Sequence, residues 1–180
     1  MLADNRWVTQ QLRAMRKDPS AFEQLYAEMK QPMFVVAYRT TMSQEDAEDA
    51  VQDAFVRLLR SPKTETVHNG RAYLFQTVRN AALDIVQKHN REIAMADLGE
   101  VRQGFVTRDG GSDIGAALET LAAEERQIVS LRLEAGLGYS EIARIMGISA
   151  ATAFRRYRAA IRSLREYYGR GGDGEEQDYA

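Results

Sequence analysis

Residues 138–165 read GYSEIARIMGISAATAFRRYRAAIRSLR. Two patterned runs flank Gly147. Ser140 is placed to cap a first helix over 141–146, which turns Ile142, Ala143 and Ile145 toward a core. Gly147 suits the left-handed position that ends a helix, because it has no Cβ to clash. Ile148 covers the turn, and Ser149 is placed to cap the second helix. That helix sends Ala153, Tyr157, Ala160, Ile161, Leu164 and Tyr168 to one side and Arg155, Arg158, Arg162 and Arg165 largely to others. The small Ala143 lets the two helices cross closely. The pattern predicts a helix-turn-helix whose second helix is presented to a DNA major groove. Ser149, Ala151, Thr152, Arg155 and Arg156 lie near the start of that helix, within reach of phosphates and base edges. Arginine there can take guanine O6 and N7 together. The plainer alternative is a helical hairpin with a solvated arginine face. Phe154 suits the core margin or a thymine methyl.

Composition sets the bounds. The chain has 180 residues, 44% hydrophobic and 28% charged. That is enough for one or two small cores and too polar for a membrane protein. No apolar run approaches the roughly 20 residues that span a bilayer. The N-terminal MLADNRWVTQQLRAMRK has no apolar core followed by a cleavage site, so a cytoplasmic location is expected. The absence of cysteine excludes disulfides and thiolate metal sites and suits a reducing compartment. A net charge of −2 excludes a uniformly basic coat, so DNA binding has to come from segregated charge. Residues 141–168 hold six arginines against two glutamates, whereas SQEDAEDAVQD (43–53) holds five carboxylates and no base. The tail 169–180, GRGGDGEEQDYA, is glycine-rich and acidic and reads as disordered.

Helical spacing dominates the rest. A first helix is expected over 5–16, with Trp7, Leu12 and Met15 as its apolar contacts. Asp18-Pro19 starts a second. It carries Phe22, Leu25, Tyr26, Met29, Met33 and Val36 at steps of three and four, and Pro32 is expected to kink or break it. Ser43 caps a third helix, with Asp46 in capping-box position. Its stripe of Ala47, Ala50, Val51, Ala54, Phe55, Leu58 and Leu59 is the cleanest in the chain, and Ser61-Pro62 ends it. A polar loop, KTETVHNG, leads to a helix from about Arg71 to Asn90. Residues 92–113 mix short apolar patches with glycine and charge, and Gly110-Gly111 is a strong breaker. Helices resume over 114–121 and 124–135, the latter ended by Gly136. The fold expected is all-α: a domain over 1–91, a flexible linker over 92–113 and a helix-turn-helix domain over 114–168.

Two surfaces of the first domain call for explanation. The stripe Glu45, Asp46, Glu48, Asp49 and Asp53 is too negative to face DNA. It fits either a solvated face or docking to a basic partner surface. Metal binding finds no support, since no calcium loop and no paired Glu-x-x-His occurs. Tyr73, Thr77, Asn80 and Asp84 share one face of the 71–90 helix, with Arg71, Arg79, Lys88 and Arg91 adding positive charge. An aromatic among amides and arginines can stack on an unpaired base and hold its backbone. Phe75 reads as a core aromatic and Asp84 as an internal ion-pair member, while Tyr73 fits either core or base stacking.

DPSAFEQLYAEMKQPMFVVAYRTTMSQEDAEDAVQDAFVRLLR (18–60) resembles the first helical domain of bacterial extracytoplasmic-function sigma factors. RAYLFQTVRNAALDIVQKHNR (71–91) resembles the promoter-melting helix that follows, with its Arg-Asn-x-x-x-Asp core at Arg79, Asn80 and Asp84. Residues 117–165 resemble the family's C-terminal domain, so the likeness covers nearly all of 15–168. The resemblance implies a protein that binds core RNA polymerase, directs it to a promoter, helps melt the DNA and then lets go. It implies no cofactor, no metal and no catalysis of its own. Core polymerase, through its largest-subunit coiled-coil and flap, and promoter DNA are the implied partners. There is room for an anti-sigma factor, none for membrane insertion, and a monomer is expected when free. Docking on the coiled-coil falls to Asp46, Asp49, Gln52 and Asp53. The loop 62–70 and the helix after it, with Tyr73, Arg79, Asn80 and Lys88, take the unpaired minus-ten element. Ser149, Thr152, Arg155, Arg156 and Arg158 take the minus-thirty-five element.

Some positions depart from the family pattern. IVQKHNR replaces the usual dense basic cluster after Asp84, Tyr73 stands where tryptophan is usual, and Ala153, Arg155 and Ala159 replace common valine, serine and a basic residue. Promoter preference therefore does not transfer. Elements about 25 base pairs apart lie roughly 85 Å apart. The 22-residue linker reaches about 70 Å when extended but averages about 26 Å as a free coil. A free protein more compact than its polymerase-bound form is expected. Two other classes fit part of the sequence: a stand-alone helix-turn-helix regulator that binds duplex DNA by itself, and a protein-interaction module that binds polymerase without supporting initiation.

Overall fold

The computed structural model describes residues 3–96 and 113–172, which form α-helices and one short 3-10 turn, with no strand among them. Most of the predicted linker, and residues 173–180 of the predicted tail, lie outside the described residues. In the N-terminal lobe, α1 (Asn5–Ala14) starts at Asp4, whose carboxylate accepts from the Arg6 N–H at 3.1 Å. It buries Val8 and Leu12 completely. Asp18 caps α2 (Pro19–Thr41) through the Ser20 N–H at 2.9 Å. This helix runs unbroken through Pro32, contrary to the break considered above. Losing one helical hydrogen bond there costs roughly 3 kcal/mol. Met29 and Met33 on either side are fully buried, and each offsets about 1.5–3 kcal/mol of that cost.

Ser43 caps α3 (Gln44–Arg60), its hydroxyl accepting from the Asp46 N–H at 3.3 Å. Ala47, Ala50, Ala54 and Leu58 of its stripe are fully buried. The segment after Ser61 is a 3-10 turn, Pro62–Thr66, rather than an open polar loop. Thr64 is buried in it and donates to the Ser61 carbonyl at 2.8 Å. The next helix, α4 (Gly70–Ala96), is longer than expected, so residues 92–96 of the predicted linker are helical. Leu74 and Phe75 close the core between α2, α3 and α4.

The C-terminal lobe consists of α5 (Asp113–Glu119), α6 (Ala123–Leu133), α7 (Tyr139–Met146) and α8 (Ala150–Gly172). It divides its apolar residues. Leu118, Leu121, Val129 and Ala160 form a small core of their own. Ile128, Leu131, Leu137, Ile142 and Ile145 join the N-terminal core in one continuous cluster. The two lobes are therefore packed together, α6 against α2 and α7 against α4. Polar contacts tie the same seam. Arg71 donates to the Ala135 carbonyl, and Gly136, at φ +61°, leaves the space that a Cβ would take from that guanidinium. Arg126 donates to the Arg39 carbonyl at 3.0 Å.

Candidate nucleic-acid interface

The turn between α7 and α8 is built by Gly147 at φ +67°, with the Ile148 N–H donating to the Ala143 carbonyl at 3.0 Å. Ser149 then caps α8, accepting from the Thr152 N–H at 3.1 Å and donating to the Thr152 hydroxyl at 2.8 Å. The expected Ser140 cap is not the one used. α7 begins two residues earlier than expected for that cap, at Tyr139, and the Glu141 carboxylate reaches back to the Gly138 N–H at 2.7 Å. A carboxylate three residues into the helix satisfies that free donor and suits the positive helix end.

Ser149, Arg155 and Arg158 stand exposed on the first turns of α8, with Thr152 half-exposed among them. Arg156 is bonded instead to Glu124 in the first turn of α6. Phe154 sits at the core margin, 45% exposed, edge-on to Tyr139 at 5.2 Å, with the Arg158 guanidinium 5.8 Å over its ring. Ala153 and Ala160 turn inward and are fully buried.

The α4 residues diverge. Asn80 and Lys88 are exposed, and Lys88 lies 3.9 Å from Glu92. Tyr73 is half-buried, its hydroxyl 3.0 Å from that of Ser61. Phe75 is core, and Asp84 pairs with Arg57 at 2.8 Å. Arg57 also holds Asp53 at 2.6 Å. The Asp53 hydrogen bond raises the guanidinium pKa above its ordinary value against the opposing effect of burial, with Asp84 adding to the rise. Arg79, expected on the DNA-facing surface, is instead held in the seam between the lobes. Its Nε donates to the Gln127 Oε1 at 2.8 Å, and its Nη1 lies 3.4 Å from the Ile145 carbonyl. Burial lowers its pKa, with Glu124 acting in the opposite direction.

On α3, Asp49 and Gln52 are exposed, while Asp46 and Asp53 are half-buried. Asp46 lies 3.6 Å from the His89 Nδ1. Beside this face a groove of about 410 Å³ runs between α2 and α3, lined by Tyr26, Lys30, Phe34, Glu48, Val51 and Gln52 among others. Tyr26, one of the spaced apolar positions of α2, is 37% exposed. Its ring leans on Phe55 at 4.9 Å. Sequence reasoning missed this groove. Its signal was the i, i+4, i+8 spacing of Tyr26, Lys30 and Phe34. It missed Gln127 and Glu124 as well, since neither carries a local signal of its long-range partner. Among the described residues no group of three His, Cys, Asp or Glu side chains is gathered to hold a metal, and no helix is long and apolar enough to cross a membrane.

Fold and surfaces together define a two-lobed helical protein with a DNA-binding helix-turn-helix in its second lobe. The chain matches the family model for sigma-70 region 2 over residues 25–92 and that for sigma-70 region 4 over residues 117–166. It is 29% identical over 158 residues to the ECF RNA polymerase sigma factor SigE of Mycolicibacterium smegmatis, covering 82% of this chain and 61% of that protein. The match therefore spans about three fifths of that relative's length. It is 29% identical over 136 residues to SigM of Bacillus subtilis, covering 72% of this chain and 83% of that one. The chain belongs to the sigma-70 family, in its extracytoplasmic-function group of RNA polymerase sigma factors. Two solved structures share the fold. RpoE of Bartonella quintana, in complex with the anti-sigma factor NepR, has a TM-score of 0.67 at 24% identity, covering 82% of this chain and 96% of that one. CnrH, in complex with the cytosolic domain of CnrY, has a TM-score of 0.64 at 20% identity, covering 92% and 97%.

Proposed function

We propose that this chain binds core RNA polymerase, directs it to promoters and assists DNA melting, with three surfaces dividing the work. Asp46, Asp49, Gln52 and Asp53 on α3 dock on a basic surface of the polymerase. Tyr73, Arg79, Asn80 and Lys88, with the 62–70 segment, hold the unpaired minus-ten strand. Ser149, Thr152, Arg155, Arg156 and Arg158 meet the minus-thirty-five duplex. RNA synthesis itself belongs to the polymerase. The observation that carries this reading is the separation of charge within one chain. An exposed carboxylate face lies on α3 and an arginine-bearing recognition helix lies on α8, in the order of the two family regions. Negative charge repels DNA and attracts a basic protein surface, so the first lobe needs a protein partner that the second does not.

Arg79 adds a condition. Its guanidinium lies between the lobes, so it reaches a DNA strand only after they part. The promoter span of roughly 85 Å sets the same requirement. Run-off transcription with sigma-free bacterial core polymerase on a promoter library from the source genome tests the reading. Promoter-specific transcripts that depend on the protein are expected. Tight binding to duplex promoter DNA without polymerase, and no transcripts with it, would favour a stand-alone helix-turn-helix regulator.

A further inference from the structure

α1 precedes the part of the chain matched by the family model, which begins at residue 25. Its side chains nevertheless fasten the 65–71 segment at four points. The Gly70 N–H donates to the Thr9 hydroxyl oxygen at 2.9 Å, and the Arg71 N–H donates to the Asn5 Oδ1 at 3.0 Å. Arg13 grips the Val67 carbonyl with two nitrogens, Nε at 2.9 Å and Nη2 at 2.6 Å. Arg16, in the turn after α1, pairs with Glu65 at 3.0 Å.

Two of these contacts satisfy backbone N–H groups at the start of α4. The first N–H groups of a helix have no partner inside it. At α4 two of them are taken by α1, and a third, Ala72 N–H, by the Asn69 side chain at 3.0 Å. Thr9 spends its own proton on the Asn5 carbonyl at 2.7 Å, which leaves its oxygen free to accept from Gly70. Gly70 permits the approach. A Cβ at that position would lie 2.7 Å from the Thr9 backbone N and Cα. Beneath the polar bonds, Val8 and Leu12 are fully buried and anchor α1 to the lobe.

The result is a segment whose backbone is held by α1, with Asn69 and Arg71 also bonded to Glu141 and to the Ala135 carbonyl of the C-terminal lobe and with the His68 side chain left facing solvent. His68 is exposed, and it borders an open groove of about 570 Å³ lined also by Arg6, Gln10 and Arg13. A surface loop that meets a flexible single strand gains affinity when its conformation is set in advance, since less ordering remains to be done on binding. We propose that α1 is a positioning element for promoter opening: Asn5, Thr9 and Arg13 hold the 65–71 segment in the conformation that receives the unpaired strand. This rests on the sigma-factor reading above.

The test uses the full chain. Because the protein has no cysteine, His68→Cys provides a single attachment point for a nitroxide spin label. Asn5→Ala/Thr9→Ala is expected to shorten the label's rotational correlation time several-fold, with helical circular dichroism unchanged. In holoenzyme, the same pair without the label is expected to lower run-off transcription from the best duplex promoter about 10-fold. Affinity for core polymerase is expected to stay within twofold, and Thr9→Ser alone to keep wild-type behaviour. Unchanged label mobility would overturn the proposal, as would faster motion with undiminished transcription. A loss of core affinity in step with transcription would reduce α1 to a general stabiliser. Failure of the wild-type chain to give any transcript would strike the sigma-factor reading itself, a result the label experiment keeps separate.

Discussion

The two proposed DNA-facing surfaces differ in how ready they are. On α8 the recognition positions Ser149, Arg155 and Arg158 already project into solvent. They are fixed by a cap and a glycine turn that lie within a few residues of them. On α4, Arg79 spends its hydrogen bonds on Gln127 and on the Ile145 carbonyl, both from the other lobe. On the proposed reading, the second lobe offers Arg155 and Arg158 to duplex DNA as it stands, with Arg156 held by Glu124, whereas Arg79 of the first lobe is released only when the lobes separate. Duplex readout is therefore proposed to precede single-stranded readout.

The largest effect expected is on docking, which precedes both readouts. Asp49→Lys/Asp53→Lys should weaken core binding about 100-fold or more and abolish promoter-specific transcripts, because like charges then face each other across the interface. Fluorescence anisotropy with labelled core checks this. Arg155→Ala acts on one readout alone. It should cost about 1–3 kcal/mol, roughly 5- to 150-fold in affinity for the minus-thirty-five element, and relax base preference at one position. A panel of mutated promoters in holoenzyme would reveal it, and an equal loss on every promoter would reassign Arg155 to a phosphate.

Gly147→Ala perturbs the turn beneath that reader. Nothing lies within 4 Å of the added Cβ, so only the positive φ is strained. The expected cost is roughly 1–2 kcal/mol, seen as a Tm lowered by about 2–4 °C per kcal/mol. The smallest effect belongs to Arg158→Ala, read as a phosphate contact. It should make the salt dependence of duplex binding shallower by about one unit of slope, measured by titration at several ionic strengths.

Local chemistry was legible in the sequence and distant chemistry was not. Ser43, Gly147 and Ser149 act within a few residues of their own positions, so their caps and turn could be read directly. The Ser140 cap failed because α7 starts at Tyr139, which puts Ser140 inside the first turn while Glu141 reaches back to Gly138. Pro32 does not break α2, because the buried methionines beside it outweigh one missing hydrogen bond. Asp84 could be placed in an ion pair, but its partner, Arg57, lies on another helix. The position of Arg79 depends on Gln127, 48 residues away. The hold of α1 on Gly70 spans 61 residues. No periodicity encodes either contact.

Under the proposed function, the lobes, closed over Arg79 in the free chain, part when the protein works. Fluorophores attached through Glu23→Cys on α2 and Ser163→Cys on α8, both exposed positions, would report the distance between lobes by resonance energy transfer. Efficient transfer is expected in the free protein, and a large loss when core polymerase and promoter DNA are added. Transfer that stays unchanged in a complex still able to initiate transcripts would contradict this parting of the lobes.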